Sequence, residues 1–223
     1  MRILIDGATG VLGRALAEQI IRAEPAAELI LLARHKPRLE ALDDLLREAG
    51  ATTAPMLVPL DYTQASAGHF AELASALIPE GLDALALLAA THSGLHPLDH
   101  LKPRDFDQSL KVGLYAPYWL LHHLLRLLKA DGGGRVLGVS DDVGAQAKPF
   151  WGGYGIAKSG LDTLLEQLRQ EAEGSLAVRR VVPPPVASPL RGLVYPGENP
   201  KALTPAAEVV APWADWLLGR SDG

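Results

Sequence analysis

The stretch IDGATGVLGRAL, residues 5–16, carries three glycines within seven positions. It follows a short apolar run and opens a segment of helical period, so it predicts a turn from a strand into a helix. Glycine lets the backbone pass close to a pyrophosphate, whose charge is met by free N–H groups at the start of the helix. Gly7, Gly10 and Gly13 are therefore predicted to hold a dinucleotide; the alternative is tight packing without a ligand.

Short apolar runs alternate with helical segments along the chain. Runs that are apolar on both faces are typical of strands covered by helices on both sides. The predicted strands lie within residues 1–6, 29–33, 56–60, 82–90, 135–139 and 176–182, and the predicted helices within 13–24, 38–50, 67–78, 105–130, 158–173 and 205–219. This alternation predicts a doubly wound parallel β-sheet of about six strands, an α/β Rossmann-type fold in one domain spanning residues 1–223. We expect Pro117 to bend the long fifth helix.

The composition limits the classes of function. Of 223 residues, 48% are hydrophobic and 21% are charged, which suffices for the core of one α/β domain. The net charge of -5 disfavours a nucleic-acid partner, because affinity for phosphate backbones depends on clustered Lys and Arg. The absence of cysteine excludes disulfides, thiolate metal sites and thiol nucleophiles. The first residues lack the apolar run of a signal peptide or membrane span, so we expect a cytoplasmic protein with no membrane partner.

The end of the second predicted strand indicates which dinucleotide is bound. In LLARHKPR, residues 31–38, Ala33 stands where an NAD enzyme usually offers an acidic side chain to the ribose, and Arg34 follows it. An arginine can accept the 2′-phosphate of NADP, and Arg14 in the glycine turn would add a second positive charge. NADP is therefore favoured over NAD, although Arg34 is alternatively an ordinary solvated charge.

Markers of one family occur in order along nearly the whole chain. They are GATGVLG at the turn, Asp61 after the third strand, LAA at the end of the fourth, YGIAK at residues 154–158 and PPPVASPL at residues 183–190. In these motifs the chain resembles the short-chain dehydrogenases/reductases, which implies hydride exchange between a nicotinamide and a small carbonyl or alcohol substrate. The cofactor-binding residues that the resemblance implies are Gly7, Thr9, Gly10, Val11, Leu12, Gly13, Arg14, Arg34, Asp61, Ala89, Lys158, Val186 and Ser188, with no metal ion.

Tyr154 and Lys158 match the Y-x-x-x-K pair of that family. Residues four apart share a helix face, so Lys158 can lie beside the phenol, and a neighbouring cation lowers a phenol pKa from its usual value near ~10. Such a tyrosine can exchange a proton with a carbonyl or alcohol while a nicotinamide transfers hydride. By resemblance, Tyr154 is the proton donor, and Lys158 lowers its pKa and holds the nicotinamide ribose.

Several positions depart from the family pattern. The serine expected thirteen residues before the tyrosine is Asp141, with Ser140 one residue earlier, and the expected asparagine of the fifth helix is Gly113. Either Ser140 or Asp141 therefore orients the substrate. An anionic Asp141 would raise the phenol pKa, which harms alcohol oxidation more than carbonyl reduction, whereas a neutral, buried Asp141 could donate a hydrogen bond in place of the serine. The usual Asn-Pro-Gly becomes residues 182–184, Val-Pro-Pro, which predicts a different loop path.

Two further groups have competing interpretations. His92, His96 and His100 fall four apart, but the intervening glycine and proline break a helix, which favours a loop beside the crevice over a metal site. Three aromatic residues either line a substrate pocket or pack in the core. They are Phe150, Trp151 and Tyr195.

Two functions remain open. The first is an NADP(H)-dependent oxidoreductase that reduces a small carbonyl compound. The second is a catalytically weak nucleotide-binding protein, because the usual serine and asparagine positions are Asp141 and Gly113. The helices at 106–129 and 154–173 are candidate contacts of a homodimer or homotetramer.

Overall fold

A parallel sheet forms the centre of the computed structural model, which describes residues 1–77, 81–129 and 133–221. Its strands are β1 (Arg2–Asp6), β2 (Glu28–Ala33), β3 (Met56–Pro59), β4 (Ala84–Leu87), β5 (Arg135–Val139) and β6 (Ala177–Val181). Each predicted strand contains an observed one to within one residue. The six strands are ordered β3-β2-β1-β4-β5-β6 and every pairing is parallel. The predicted doubly wound α/β fold is confirmed.

Helices cover both faces of this sheet. They are α1 (Val11–Ala23), α2 (Lys36–Glu48), α3 (Ala67–Leu77), α4 (Pro103–Leu110), α5 (Ala116–Lys129), α6 (Asp142–Ala145), α7 (Gly152–Glu171), α8 (Pro189–Val194) and α9 (Ala206–Leu217). A 3₁₀ turn spans Pro200–Ala202. The predicted helix ends at Ile78 and Ala130 lie outside the described residues. None of the helices in the described ranges is long and apolar enough to span a membrane.

Alternate residues of each central strand contact different helix layers. Ile3 and Ile5 pack with apolar residues of α1, α2 and α9, whereas Leu4 packs with residues of α3, α5 and α7. All three are fully buried, as expected for strands that are apolar on both faces. The two apolar layers fix the sheet, so the ends of its strands form a stable frame for a site.

The long fifth predicted helix changes its hydrogen-bond pattern just before its proline. The α-helical pattern stops after Leu110, a π-helical turn runs through Lys111–Tyr115, and α5 then begins at Ala116. Pro117 therefore follows the π-helical turn directly, inside a continuous helical path in which its missing N–H leaves an earlier carbonyl without its partner. The change of pattern thus lies at residues 111–115, next to the proline that was expected to bend the helix.

Candidate functional site

A cleft of about 560 Å³ opens at the carboxyl ends of the strands. It lies where the strand order reverses, between β1 and β4, which is the usual ligand crevice of a doubly wound sheet. Its volume is within the range of about 300 to 1,000 Å³ typical of small-molecule sites. The glycine turn forms one side, and the ends of β2 to β5, the amino-terminal part of α7 and residues 182–191 form the others.

The glycine turn fits the shape that a close-lying phosphate requires. Gly7 has a positive φ of 67°, and a Cβ there would lie 2.8 Å from the Ala89 nitrogen. A Cβ on Gly13 would lie 2.4 Å from the Gly7 carbonyl oxygen. Gly10 precedes α1, and no side chain caps that helix start, so its first N–H groups face the cleft region without a competing acceptor from the cap residue. The turn is thus open on the side where an anion can bind.

A buried carboxyl lies directly before this turn, and sequence reasoning did not single it out. Asp6 is fully buried at the end of β1, where it accepts a hydrogen bond from the Tyr62 hydroxyl at 2.6 Å and one from the Ala89 N–H at 3.4 Å. Burial raises the pKa of Asp6 to about 6, although these hydrogen bonds and the nearby Lys158 oppose the rise. Asp6, at the end of β1, therefore ties together the chain segments that follow β3 and β4. A fully apolar strand pattern interrupted by one acidic residue was the available signal.

The sequence predicted that Arg34 and Arg14 would both bind the 2′-phosphate, but only Arg34 lies at the cleft. Arg34 lines the cleft as expected, together with His35 and Arg38. Arg14 instead makes an exposed ion pair with Glu18 at 2.8 Å, one helical turn further along α1, and is not among the cleft residues. The positive group that joins Arg34 at the cleft is Arg38.

The remaining predicted cofactor residues surround the same space. Asp61 accepts hydrogen bonds from the Thr63 N–H at 2.9 Å and hydroxyl at 2.8 Å, which hold the loop after β3. Ser188 caps α8 by accepting the Arg191 N–H at 3.0 Å. Of the predicted cofactor residues, the cleft is lined by Gly7, Thr9, Gly10, Val11, Leu12, Gly13, Arg34, Asp61, Ala89, Lys158, Val186 and Ser188.

Tyr154 lies in the same cleft, in the first turn of α7. The phenol is 6% exposed and donates a hydrogen bond to Oδ2 of Asp141 at 2.9 Å. The other oxygen of Asp141, Oδ1, accepts the Val143 N–H at 3.2 Å and so caps the short helix α6. Ser140 also lines the cleft, but its hydroxyl is directed to the Asp141 carbonyl at 3.4 Å. Of the two candidates, Asp141 is the one in contact with the phenol.

The charges around the phenol favour its protonated form. The pKa of Tyr154 is raised, first by burial and then by the charge and hydrogen bond of Asp141. The pKa of Asp141 is itself raised, first by burial and then by the adjacent Asp142. A tyrosine in these surroundings is a proton donor rather than a phenolate.

Lys158 is one helical turn from Tyr154 and is almost fully buried. Its ammonium donates to the Val139 carbonyl at 2.6 Å and lies 5.8 Å from the centre of the Tyr154 ring. Burial lowers the pKa of Lys158 to about 8, against the opposing charges of Asp141, Asp162 and Asp6. The cation is therefore close to the phenol but hydrogen-bonded to the end of β5. The expectation that Lys158 lowers the pKa of Tyr154 is wrong, because burial and the charge of Asp141 raise that pKa.

Gly113 lies where the fifth helix meets α7. A Cβ on this residue would lie 2.9 Å from the Cβ of Ala157, so any side chain here requires a shift of one helix. The π-helical turn around Gly113 packs directly on α7 between Tyr154 and Lys158. Close packing of two helices thus replaces the side chain that the family pattern led us to expect.

His92 lies next to the site, in the loop that the sequence predicted beside the crevice. Its ring lies 5.0 Å from the Tyr154 ring and 5.2 Å from the Trp151 ring. Its Nδ1 accepts the Gly94 N–H at 2.8 Å, so Nε2 carries the proton of the neutral ring, and burial lowers the pKa of this histidine. His96 is half-buried in the same loop, where its charge also opposes protonation of His92, whereas His100 lies in an exposed turn. No group of residues in the described ranges has the makings of a metal site.

The predicted aromatic residues divide between packing and exposure. Trp151 and Tyr154 pack with Val143 and Val194 in a small cluster under α8. Tyr195 is 6.3 Å from Trp151, ring centre to ring centre, whereas Phe150 is 54% exposed and has a positive φ of 73°. Trp151 therefore packs against the Tyr154 ring, with the ring centres 5.7 Å apart, and none of the three predicted aromatic residues lines the cleft.

Proteins of similar sequence point in one direction. A family model described as short chain dehydrogenase matches residues 1–199. YciK, an uncharacterized oxidoreductase of Escherichia coli strain K12, is 26% identical over 219 residues, which cover 97% of this chain and 85% of that protein. An NADPH-dependent 3-dehydrocapnine reductase of Ornithobacterium rhinotracheale is 27% identical over 120 residues, which cover 52% of this chain and 42% of that protein.

Solved structures give the same result. A short chain dehydrogenase from Pseudomonas syringae superposes with a TM-score of 0.88 at 29% identity, covering 97% of this chain and 88% of that one. A short chain dehydrogenase from Shigella flexneri, complexed with NADP, superposes with a TM-score of 0.90 at 23% identity, covering 97% of this chain and 90% of that one.

Proposed function

The chain belongs to the short-chain dehydrogenase family, and from that premise we propose that it is an NADP(H)-dependent oxidoreductase that reduces a small carbonyl compound, with Tyr154 as proton donor. The observation that carries this proposal is the buried phenol of Tyr154 in the cleft that the glycine turn borders. When bound, NADPH supplies the hydride for the carbonyl carbon. The chain must then deliver a proton to the carbonyl oxygen and hold the substrate.

The choice of NADP rests on the corner of the cleft after β2. Arg34 and Arg38 supply positive charge there, and Ala33 leaves room where a carboxylate would repel a 2′-phosphate. The relatives that name their cofactor, the reductase from Ornithobacterium rhinotracheale and the NADP complex from Shigella flexneri, agree with this choice. The N–H groups at the start of α1, which follow Gly10 and have no side-chain cap, would hold the diphosphate, while Gly7 and Gly13 allow the turn to pack closely on the protein's own backbone.

The protonation of Asp141 determines whether the Tyr154 hydroxyl can donate its proton to a substrate. A tyrosine has one hydroxyl proton, so Tyr154 cannot donate to Asp141 and to a substrate oxygen at the same time. A protonated Asp141 removes this conflict, because it can donate to the substrate oxygen and leave the phenol proton for transfer. We propose that this protonated carboxyl takes the place of the expected serine, and that Lys158 holds the nicotinamide ribose.

The catalytically weak nucleotide-binding protein remains the second candidate. Two observations favour it: the phenol proton is engaged by Asp141, and the Lys158 ammonium is engaged by the Val139 carbonyl. Under this hypothesis NADPH binds, but no carbonyl compound is reduced.

Titration with NADPH followed by a panel of carbonyl compounds distinguishes the two functions. We expect NADPH to bind and to be oxidised with at least one class of carbonyl compound. In Tyr154→Phe we expect kcat to fall about a hundredfold or more. The matched control is Tyr118→Phe, on the exposed face of α5, which should retain activity. If NADPH binds but is not oxidised with any compound of the panel, the result favours the nucleotide-binding protein. If neither NADPH nor NADH binds, the result contradicts both functions.

We also propose that residues 1–223 form one domain and that the chain associates into a homodimer or homotetramer through the helices at 106–129 and 154–173. In support of the domain, α9 packs against α1 beside the first strand. In support of association, Tyr115 and Tyr118 expose 47% and 43% of their surface beside Leu164 and Trp119. Analytical ultracentrifugation tests it: a wild-type monomer, or a Tyr118→Glu variant that assembles as well as wild type, contradicts the proposed contact.

A further inference from the structure

Arg191 is a cleft residue that the proposed reaction does not use. It lies on α8, and its side chain is 27% exposed. Its Nε and Nη2 donate to the two carboxylate oxygens of Glu198, at 2.6 and 2.8 Å. Its guanidinium lies flat over the Tyr195 ring, with Cζ 3.8 Å from the ring centre. One edge and one face of the guanidinium are therefore fixed before any ligand binds.

The opposite edge of the guanidinium is available. Arginine carries five N–H donors, and the pair with Glu198 uses one from Nε and one from Nη2. Among the described residues, no hydrogen bond engages Nη1. The edge formed by Nη1 and Nη2 thus retains two parallel donors, which match the two oxygens of a carboxylate. An arginine held in this way loses little side-chain freedom on binding an anion.

The surroundings of Arg191 relate it to the reacting end of the cleft. The pKa of Arg191 is raised, chiefly by its hydrogen bond to Glu198 and to a smaller extent by charges that include Asp141. Asp141 is the carboxyl that contacts the Tyr154 phenol. Leu190, which precedes Arg191, also lines the cleft and packs on the cluster that contains Tyr154. An anion on Arg191 would therefore share the cleft with the proton donor and lie next to an apolar wall.

We propose that Arg191 binds a carboxylate of the substrate, so that the preferred substrates are carbonyl compounds with an apolar body and a carboxylate. This inference rests on the proposed reductase function, from which it takes the carbonyl group. The diphosphate of the cofactor is a less suitable occupant, because the glycine turn already offers it a seat of backbone N–H groups. Glu198 and Tyr195 act as positioning residues that hold the guanidinium in place.

The test compares each acid with its own ester. Benzoylformate, acetylbenzoate and benzoylpropionate, which differ in the spacing between carbonyl and carboxylate, are assayed with NADPH beside their methyl esters. We expect the wild-type protein to prefer at least one acid over its ester by about tenfold or more in kcat/KM, mainly through KM, since a charge-assisted hydrogen bond has about this effect. Arg191→Met should abolish the preference, because kcat/KM falls for the acid more than for its ester.

A second pair of variants separates recognition from repulsion. Arg191→Met leaves the Glu198 carboxylate unpaired, and that charge alone would repel an acid. The double variant R191M/E198Q removes this charge, and we expect it to lack the preference for the acid as well. Recovery of the preference in the double variant, equal losses for acid and ester in R191M, or a wild-type protein without a preference overturns the inference.

The control is another ion pair with the same geometry outside the cleft. On α7, Arg169 donates from Nε and Nη2 to Glu166 at 2.9 and 2.7 Å. Arg169→Met should leave the ratio of acid to ester unchanged. If Arg191→Met does not fold, Arg191→Lys serves in its place: it keeps the charge but loses the two parallel donors, and its preference should fall below that of the wild type. An unchanged preference in Arg191→Lys overturns the inference.

A binding arm keeps this inference separate from the proposed function. Calorimetry measures phenylacetate and phenylacetamide binding to the protein in the presence of NADP, without any turnover. We expect phenylacetate to bind about tenfold more tightly than the amide in the wild type, and equally in R191M. If no carbonyl compound is reduced but this difference is found, the carboxylate site stands and the reductase fails. If the two compounds bind equally to the wild type, the carboxylate site fails whatever the activity.

Discussion

The buried carboxyl of Asp6 makes the stability of the fold depend on pH in an unusual direction. Its pKa rises from 3.8 to about 6 on folding, because burial penalises the charged form more than the Tyr62 and Ala89 hydrogen bonds favour it. Between these two values the folded protein retains a proton that the unfolded chain has lost. The contribution of Asp6 to the free energy of unfolding therefore falls as pH rises from about 4 and levels off above about 6. Most aspartates that gain a partner on folding have the opposite effect.

The size of the effect follows from the shift in pKa. At about 1.36 kcal/mol per pKa unit, the rise corresponds to about 3 kcal/mol lost between pH 4 and pH 8. Urea unfolding of wild type and Asp6→Asn across this range isolates the term, because the other titrating groups are common to both proteins. We expect the difference in free energy of unfolding, wild type minus variant, to fall by about 3 kcal/mol with a midpoint between the two pKa values. Tyr62→Phe, which removes the bond that lowers this pKa, should move the upper end of the fall to higher pH. A difference that is flat within about 1 kcal/mol, or that rises with pH, refutes the reasoning.

Three other predictions concern the cleft. Gly13→Ala puts a Cβ 2.4 Å from a backbone oxygen, so we expect the protein to lose about 2 kcal/mol or more of stability and to lose NADPH binding. Thermal melts with and without NADPH measure both effects. Gly197→Ala, with no atom within 4 Å of its Cβ, is the control and should be neutral. Arg38→Ala should raise the Kd for NADPH about tenfold and leave that for NADH unchanged, while Arg14→Ala should affect neither; equal effects of the two variants in fluorescence titrations would contradict the assignment. Because the pKa of Asp141 is raised, we expect kcat/KM for carbonyl reduction to fall as the pH rises through that pKa. Asp141→Asn keeps a hydrogen-bond donor at all pH values and should have a flat pH profile. An identical fall of kcat/KM in both proteins would contradict the role of a protonated carboxyl.

The regular elements were predictable because their sequences obey simple periods. Ile3, Leu4 and Ile5 are consecutive and all buried, which only a strand covered on both faces explains. The π-helical turn was not predictable in this form, because apolar periodicity continues through it and Gly113 packs on Ala157, a residue distant in sequence. The one local signal was Pro117, which follows the turn directly.

The short helices near the site depend on single side chains rather than on periodicity. Asp141 caps α6, and Ser188 caps α8. Helices of four and six residues leave no hydrophobic period to detect. The only local signal was a capping residue before each segment, Asp141 or Ser188. The family resemblance gave these two residues a role in the site, which hid their role as helix caps.

The position of Arg14 shows the limit of counting charges near a motif. A residue that follows the glycine turn is close to the cleft in sequence, but the direction of its side chain depends on its phase on α1. Glu18, four residues later, provides an ion pair on the solvent side. Arg38 is four residues beyond the end of β2 marked by Arg34, so its distance in sequence gave no sign of the cleft. It lies in the first turn of α2, which places it at the cleft. Helical phase, more than distance along the chain, decides which cation meets the phosphate.

Asp141 links the local fold to the chemistry in a way that a serine could not. One carboxylate oxygen accepts the Val143 N–H and holds α6, while the other accepts the Tyr154 hydroxyl. A serine at this position has one side-chain oxygen, which would have to serve both groups. Packing of Gly113 on Ala157 next to Tyr154 likewise fills the place of the expected asparagine without leaving a void. These contacts hold the phenol in place, and the protonation of Asp141 then separates a reductase with a carboxyl in the serine's place from a protein that only binds the nucleotide.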